Sequence, residues 1–134
     1  MSNRIQRRMM VMSCVAILFV GGHLGHSADK KTKTVKVTID YGDGFQKRYT
    51  QIRWKPKMTV LDVTQAAVRH KRGIKIRYRG KGATAFLTQI DDLKNEGRGR
   101  NWLYQVNGKL ADRSFAIYSV KSGDAILWKF GKYK

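Results

Sequence analysis

The stretch Asn95–Ser114, which reads NEGRGRNWLYQVNGKLADRS, constrains the fold more than any other part of the chain. A glycine-rich loop with Arg98 and Arg100 leads into an alternating run that contains Trp102 and Tyr104 and breaks at an Asn-Gly pair. This pattern predicts a loop, a half-buried strand and a tight turn. Because the two aromatic rings share one face, they either pack into the core or hold a flat ligand. The sequence alone leaves both interpretations open.

Alternation of apolar and polar residues predicts further strands on both sides of this stretch. Residues 35–41 and 45–54 flank Gly42-Asp43-Gly44 and predict a β-hairpin, and the irregular second half indicates a bulge. Residues 74–79, 86–90 and 125–130 predict a third strand, a short strand and a closing strand. The segment 115–120 is expected to be partly extended.

One amphipathic helix is predicted between the hairpin and the third strand. Thr59 and Asp62 have the spacing of a shortened capping box, and Gly73 is a natural stop. The helix would place on one arc Val60, Leu61, Val63, Thr64, Ala67 and Val68. Two strands, a helix and then several strands form an α+β pattern. We therefore expect a β-grasp domain over residues 35–134, with one helix packed across a mixed β-sheet.

The stretch Asn95–Ser114 also closely resembles the signature of the transcobalamin-like C-terminal domain family, whose members are secreted β-grasp domains. The resemblance extends to residues 37–44, 59–67, 86–93 and 118–128. In the animal vitamin carriers this domain folds over one side of cobalamin, alongside a large helical domain that this sequence does not include. The resemblance therefore implies a soluble ligand, with a cobalamin-like corrinoid as one candidate.

The N-terminal residues have the order of a secretory signal peptide. Three arginines precede the apolar run 9–20, and small residues are frequent in 21–27. We expect residues 1–28 to be the signal peptide, with cleavage after Ser27 or Ala28, and residues 29–34 to be a basic linker. The apolar run is short for a spanning helix, which needs roughly 20 residues, so an uncleaved anchor is the alternative. A secreted, periplasmic or cell-surface protein is predicted, in contact with membrane only through this segment.

Charge dominates the composition, with 28 Lys and Arg against 9 Asp and Glu and a formal net charge of +19. Removing the three arginines of the signal peptide leaves a net charge of about +16. Residues 69–81 contain seven cations and no acidic residue. Such a balance favours contact with polyanions. The predicted polyanion surface consists of Arg69, Arg72, Lys75, Arg77 and Arg79; no specific nucleic acid is indicated.

The sequence offers few groups for catalysis or metal binding. Cys14 lies within the predicted signal peptide, and of the three histidines only His70 lies beyond it. One histidine and no thiol exclude a multi-histidine or thiolate metal site and weaken any Ser-His-Asp arrangement. The carboxylates of Asp91, Asp92 and Glu96 are interpreted as partners of neighbouring cations or as caps of a turn. We predict that the protein is not an enzyme and has no catalytic or metal-binding residues.

Two functions of different kinds follow. The first is a small-molecule binding module in which Trp102 and Tyr104 stack on the ligand. In this module Arg98 and Arg100 would hold anionic groups on a glycine-rich nest of backbone amides. The second is a cationic adhesion module that binds an anionic polymer or a partner protein at the cell surface. A cavity lined by Trp102 or Tyr104 would favour the first function, and a filled core with a flat cationic face the second.

Overall fold

Eight strands, one α-helix and a short 3-10 turn make up the part of the chain that the computed structural model describes, residues 32–133. In chain order they are β1 (Thr34–Asp40), β2 (Gln46–Arg53), α1 (Val60–Arg69), β3 (Ile76–Arg79), the 3-10 turn (Gly82–Thr84), β4 (Phe86–Ile90), β5 (Leu93–Lys94), β6 (Asn101–Val106), β7 (Lys109–Leu110) and β8 (Ala125–Gly131). These elements form the α+β class that the sequence predicts. The predicted signal peptide and the start of the predicted linker lie outside the described residues. Within residues 32–133, no helix has the length and apolar character needed to cross a membrane.

The strands form two sheets, whereas the sequence predicted one. The larger sheet has the order β2-β1-β8-β6-β7 and is mixed, because β1 pairs in parallel with β8 while its other pairs are antiparallel. The smaller sheet is antiparallel and has the order β3-β4-β5. Within the smaller sheet, a turn at Asp91, which has a positive φ of 48°, folds β5 back onto β4. In this sheet β4 is the central strand and pairs with β3 on one side and β5 on the other.

The predicted hairpin and its bulge are present. Strands β1 and β2 pair in antiparallel register, which shifts by one residue between Val35 and Val37. The connecting turn contains Gly42 and Gly44, with φ of 77° and 93°. Glycine tolerates these angles because it has no Cβ. The register shift places one extra residue in β2, the strand whose uneven alternation of apolar and polar residues indicated a bulge.

The core lies between α1 and one face of the larger sheet. Its largest strand residues are Trp102 and Tyr104 on β6 and Trp128 and Phe130 on β8, all at most 8% exposed. The helix contributes Val60, Val63, Thr64 and Ala67. The Trp128 indole N–H donates to Thr64 Oγ1 at 3.0 Å, and the Thr64 hydroxyl donates to the Val60 carbonyl at 2.8 Å. These two hydrogen bonds satisfy the Trp128 indole and the Thr64 hydroxyl, which are buried between the helix and the sheet.

The helix begins as predicted and ends earlier. Thr59 and Asp62 form the reciprocal capping box. The helix stops at Arg69 rather than near Gly73, because His70 has an extended backbone and its Nδ1 accepts from the Arg72 amide at 3.1 Å. Ile74 is buried before β3 begins. Segment 115–120 forms turns, with one extended contact between Thr59 and Ser119.

Candidate functional site

A cleft of about 390 Å³ opens beside β6 on the side of the larger sheet that carries the core. We call it the β6 cleft. Its walls come from residues 83–87, which enter β4, and from residues 110–115, which begin with the last residue of β7. Ser114 joins the two walls, because its hydroxyl donates to the Ala85 carbonyl at 2.8 Å. The cleft is therefore formed by segments that are far apart in the sequence.

Buried aromatic side chains form the floor of the β6 cleft. Trp102 is 3% exposed, and its indole N–H donates to the Leu93 carbonyl at 2.8 Å. Tyr104 is 8% exposed, and its hydroxyl donates to the Arg113 carbonyl at 2.5 Å. Burial raises the pKa of the Tyr104 phenol, so the group stays protonated and keeps this bond. Trp102 and Tyr104 thus belong to the core and also line a cavity. The sequence had left open whether they pack in the core or face a ligand, and their positions are compatible with both.

The rim of the β6 cleft is apolar and exposed. Phe86, Leu110 and Tyr133 all line it, with exposed fractions of 53%, 45% and 73%. Large apolar side chains that gather in one exposed place mark binding sites more often than isolated ones do. Sequence reasoning missed these three residues because they come from separate segments and share no local periodicity.

One wall of the β6 cleft is polar. Asp112 and Arg113 line it and form an ion pair at 2.9 Å. The Arg113 guanidinium also lies 5.4 Å from the centre of the Tyr118 ring. Side chains with both signs of charge at the edge of an apolar cavity can orient a ligand that has a few polar groups.

The two loop arginines of the predicted nest do not line the β6 cleft. The Glu96 carboxylate accepts from the Arg100 amide at 2.9 Å and from the Arg100 guanidinium at 3.1 Å. The Gly97 amide donates to Asn101 Oδ1 at 2.9 Å. Arg100 lies over the Phe130 ring, and Arg98 is exposed. Of the two predicted anion contacts, Arg100 is therefore paired with a carboxylate of the same loop, and Arg98 is exposed.

The five predicted polyanion-binding residues do not all line one hollow. Arg77 and Arg79 share a groove on the smaller sheet, and Arg69 lines a hollow between α1 and the end of β2. The Lys75 amide donates to Asp91, and the Arg72 carbonyl accepts from the Tyr49 hydroxyl. No ion pair involves any of the five within residues 32–133. The alternation predicted for residues 74–79 holds as far as Arg77, because Ile74 and Ile76 are more buried than Lys75 and Arg77, whereas Tyr78 is 40% exposed.

Acidic residues pair with cations, as the sequence indicated for Asp91 and Glu96. Asp91 lies 3.2 Å from Lys47, and Glu96 lies 3.1 Å from Arg100. In the described part of the chain, no three His, Cys, Asp or Glu side chains lie close enough to share a metal ion.

Comparisons with known proteins show a family and a fold. Residues 58–132 match the model of a family described as a domain of unknown function, DUF4430. Among solved structures, the chain is similar to a protein from Ruminococcus gnavus ATCC 29149 described as a "putative metal binding protein". The TM-score is 0.58 at 16% sequence identity, over 75% of this chain and 99% of that one. No curated protein sequence matches.

Proposed function

The chain belongs to the DUF4430 family of domains of unknown function, and we propose that it is a non-enzymatic binding module whose ligand occupies the β6 cleft. One observation carries this proposal: the exposed residues Phe86, Leu110 and Tyr133 surround a floor that contains Trp102 and Tyr104. Small-molecule sites are mostly apolar cavities with a few placed polar groups. The ion pair of Asp112 and Arg113 supplies such groups on one wall.

The size of the cleft limits what it can enclose. At about 390 Å³ it lies at the small end of the range for small-molecule sites, roughly 300 to 1,000 Å³. We infer a ligand with a flat, largely apolar part that rests on the aromatic floor. A cobalamin-like corrinoid would place only one side or one substituent in this space and leave the rest uncovered.

The β-grasp assignment and the resemblance to transcobalamin-like domains belong to the same proposal. Their support is the order of the elements, in which a hairpin and a helix precede a closing strand that pairs in parallel with β1. Export by the predicted signal peptide would place the cleft outside the cytoplasm. Metal binding is not part of the proposal, because the name of the Ruminococcus gnavus protein describes that protein alone.

A neutral, flat fluorescent probe tests the cleft without drawing on the charge of the protein. Nile red should bind the full-length protein at one site with enhanced emission, and Leu110→Asp should abolish most of that signal, because the new carboxylate lies at the apolar rim. Ile117→Asp is a matched control: Leu110 and Ile117 are each 45% exposed, and Ile117 does not line the cleft. Equal loss in both variants, or no loss in either, would contradict the proposal.

A further inference from the structure

A second concave site lies on the smaller sheet, outside the β6 cleft. This groove has a volume of about 340 Å³ and is lined by Arg77, Arg79, Phe86, Thr88, Gln89, Lys94 and Asn95. We call it the β3–β5 groove. A bulge in β4 shifts the register between Arg77 and Tyr78, and the groove crosses all three strands of the sheet.

The β3–β5 groove is lined by positively charged side chains and by no negatively charged one. Arg77, Arg79 and Lys94 line it, and no carboxylate does. The ion pairs of the described chain are Lys47 with Asp91, Arg100 with Glu96, and Arg113 with Asp112, so none involves a groove cation. Three like charges in one concavity repel one another, and an anion bound among them would relieve this repulsion.

The neutral polar side chains of the groove are already used within the protein. The Thr88 hydroxyl donates to the Arg77 carbonyl at 3.0 Å, and the Asn95 amide donates to the Leu87 carbonyl at 2.7 Å. The Gln89 amide donates to the Asp91 carbonyl at 2.5 Å. The guanidinium and ammonium groups are the charged donors that the groove presents to a ligand.

The geometry selects among anionic ligands. Alternate residues of a strand are about 6.6 Å apart, so Arg77 and Arg79 can hold two successive anionic groups of one chain. Guanidinium groups bind phosphate oxygens in a bidentate manner. Proteins that bind single-stranded nucleic acid stack successive bases on aromatic side chains. The lining of this groove includes one aromatic residue, Phe86.

We propose that the β3–β5 groove binds a linear phosphodiester polymer with non-aromatic repeats, of the polyol phosphate type. Arg77 and Arg79 hold successive phosphates, Lys94 adds a third positive charge, and Phe86 contacts the carbon units. This site does not depend on the ligand of the β6 cleft. It differs from the predicted surface, because Lys94 joins it while Arg69, Arg72 and Lys75 do not line it.

The test uses the full-length protein and a poly(glycerol phosphate) oligomer, titrated calorimetrically at several salt concentrations. The groove variant is Arg77→Gln, Arg79→Gln, Lys94→Gln. The control variant is Arg48→Gln, Arg53→Gln, Lys129→Gln, which removes the same residue types from exposed positions outside the groove. The groove variant should bind on the order of a hundredfold more weakly at low salt. Its log-log salt slope should be flatter by about two to three.

The control variant should stay within about threefold of the parent protein, as expected where only diffuse charge changes. Equal weakening of both variants would overturn the proposal, because the polymer would then sense net charge alone. Equally tight binding of oligothymidylate with the same number of phosphates would overturn the assignment to a non-aromatic polymer. Thermal melting should show both variants folded.

A charge-preserving variant keeps the proposal testable if the triple variant does not fold. Arg77→Lys with Arg79→Lys retains all three positive charges and removes the planar guanidinium donors. Its affinity for the same oligomer should fall about tenfold if phosphates are held in a bidentate manner. Unchanged affinity would contradict the proposed contacts.

Discussion

Asp91 joins three segments of the chain through one carboxylate. It accepts hydrogen bonds from the Tyr41 hydroxyl, from the Lys47 ammonium at 3.2 Å and from the Lys75 amide at 2.9 Å. Burial by itself would raise the pKa of Asp91, but these three donors outweigh it and hold the pKa below its ordinary value of 3.8. Burial and the same carboxylate raise the pKa of the Tyr41 phenol. The hydrogen bonds from Tyr41 and Lys47 connect the turn between β4 and β5 to the β1–β2 hairpin.

We predict that Asp91→Asn lowers the free energy of unfolding by about 2 to 3 kcal/mol at neutral pH, because it removes the charge that three donors face. A carboxyl whose pKa is lower in the folded state stabilises the protein above its unfolded pKa, and this contribution is lost as pH falls through the folded value. The difference between parent and variant should therefore be constant well above pH 3.8 and shrink below it. Urea denaturation across this range measures it, and a difference that grows on acidification would contradict the assignment.

The turn glycines provide a second prediction. A β carbon added at Gly42 would lie 2.5 Å from the Phe130 carbonyl oxygen, whereas one added at Gly44 would have no neighbour within 4 Å. Both residues have positive φ, so Gly44→Ala should cost about 1 to 2 kcal/mol from backbone strain alone. Gly42→Ala should cost more, because the turn must also move away from β8. Equal melting temperatures for the two variants would show that the turn adjusts freely.

At the scale of elements, β6 serves the core and the cleft together. Trp102 packs against the rings of Tyr41 and Phe130, with centroid distances of 5.8 and 5.1 Å. The ring contacts and the indole hydrogen bond to Leu93 fix the position of the cleft floor. A cleft built on a strand with this support has its floor held in place without a ligand.

Trp102→Ala should lower the free energy of unfolding by about 3 to 5 kcal/mol, because it leaves a cavity in the core. Leu103→Ala on the same strand is the control; its side chain is partly exposed, and it should cost less. Chemical denaturation of the two variants gives the comparison. A Trp102→Ala protein that unfolds like the parent but no longer binds Nile red would mean that the indole serves the ligand rather than the core.

The sequence predicted the elements with strong local signals and missed those that depend on distant contacts. The capping box of Thr59 and Asp62, the hairpin and the strand of Trp102 and Tyr104 follow from periodicity and turn chemistry, which act over a few residues. The turn that joins β4 to β5 in the second sheet is held by Asp91, whose partners are 16 to 50 residues away. No local pattern encodes such contacts. The rim of the β6 cleft was missed for the same reason.

Strong cationic charge characterises the whole molecule, but the charge alone defines no site. Most cations of the sequence lie outside the β3–β5 groove, and within the described residues the carboxylates of Asp91, Glu96 and Asp112 each neutralise one of them. The β6 cleft is largely apolar and the β3–β5 groove is cationic. Phe86 lines both, so substitutions at this residue would not separate their functions.

We predict that the chain is exported and loses its first 27 or 28 residues. The expected cause is recognition of the arginine-flanked apolar run as a signal peptide. N-terminal sequencing of the protein from its native host measures the cleavage position. An intact Met1 on protein in the membrane fraction would indicate a retained anchor instead.

The central claim is that the β6 cleft holds a small molecule, and native mass spectrometry of protein purified from its host tests it most directly. We expect one ligand per chain on the parent protein, with visible absorbance if the ligand is a corrinoid, and none on the Leu110→Asp variant. The Ile117→Asp variant should retain the ligand. Equal ligand occupancy in the parent protein and Leu110→Asp would contradict the claim, as would a parent protein that carries no small molecule and takes up no added cobalamin or Nile red.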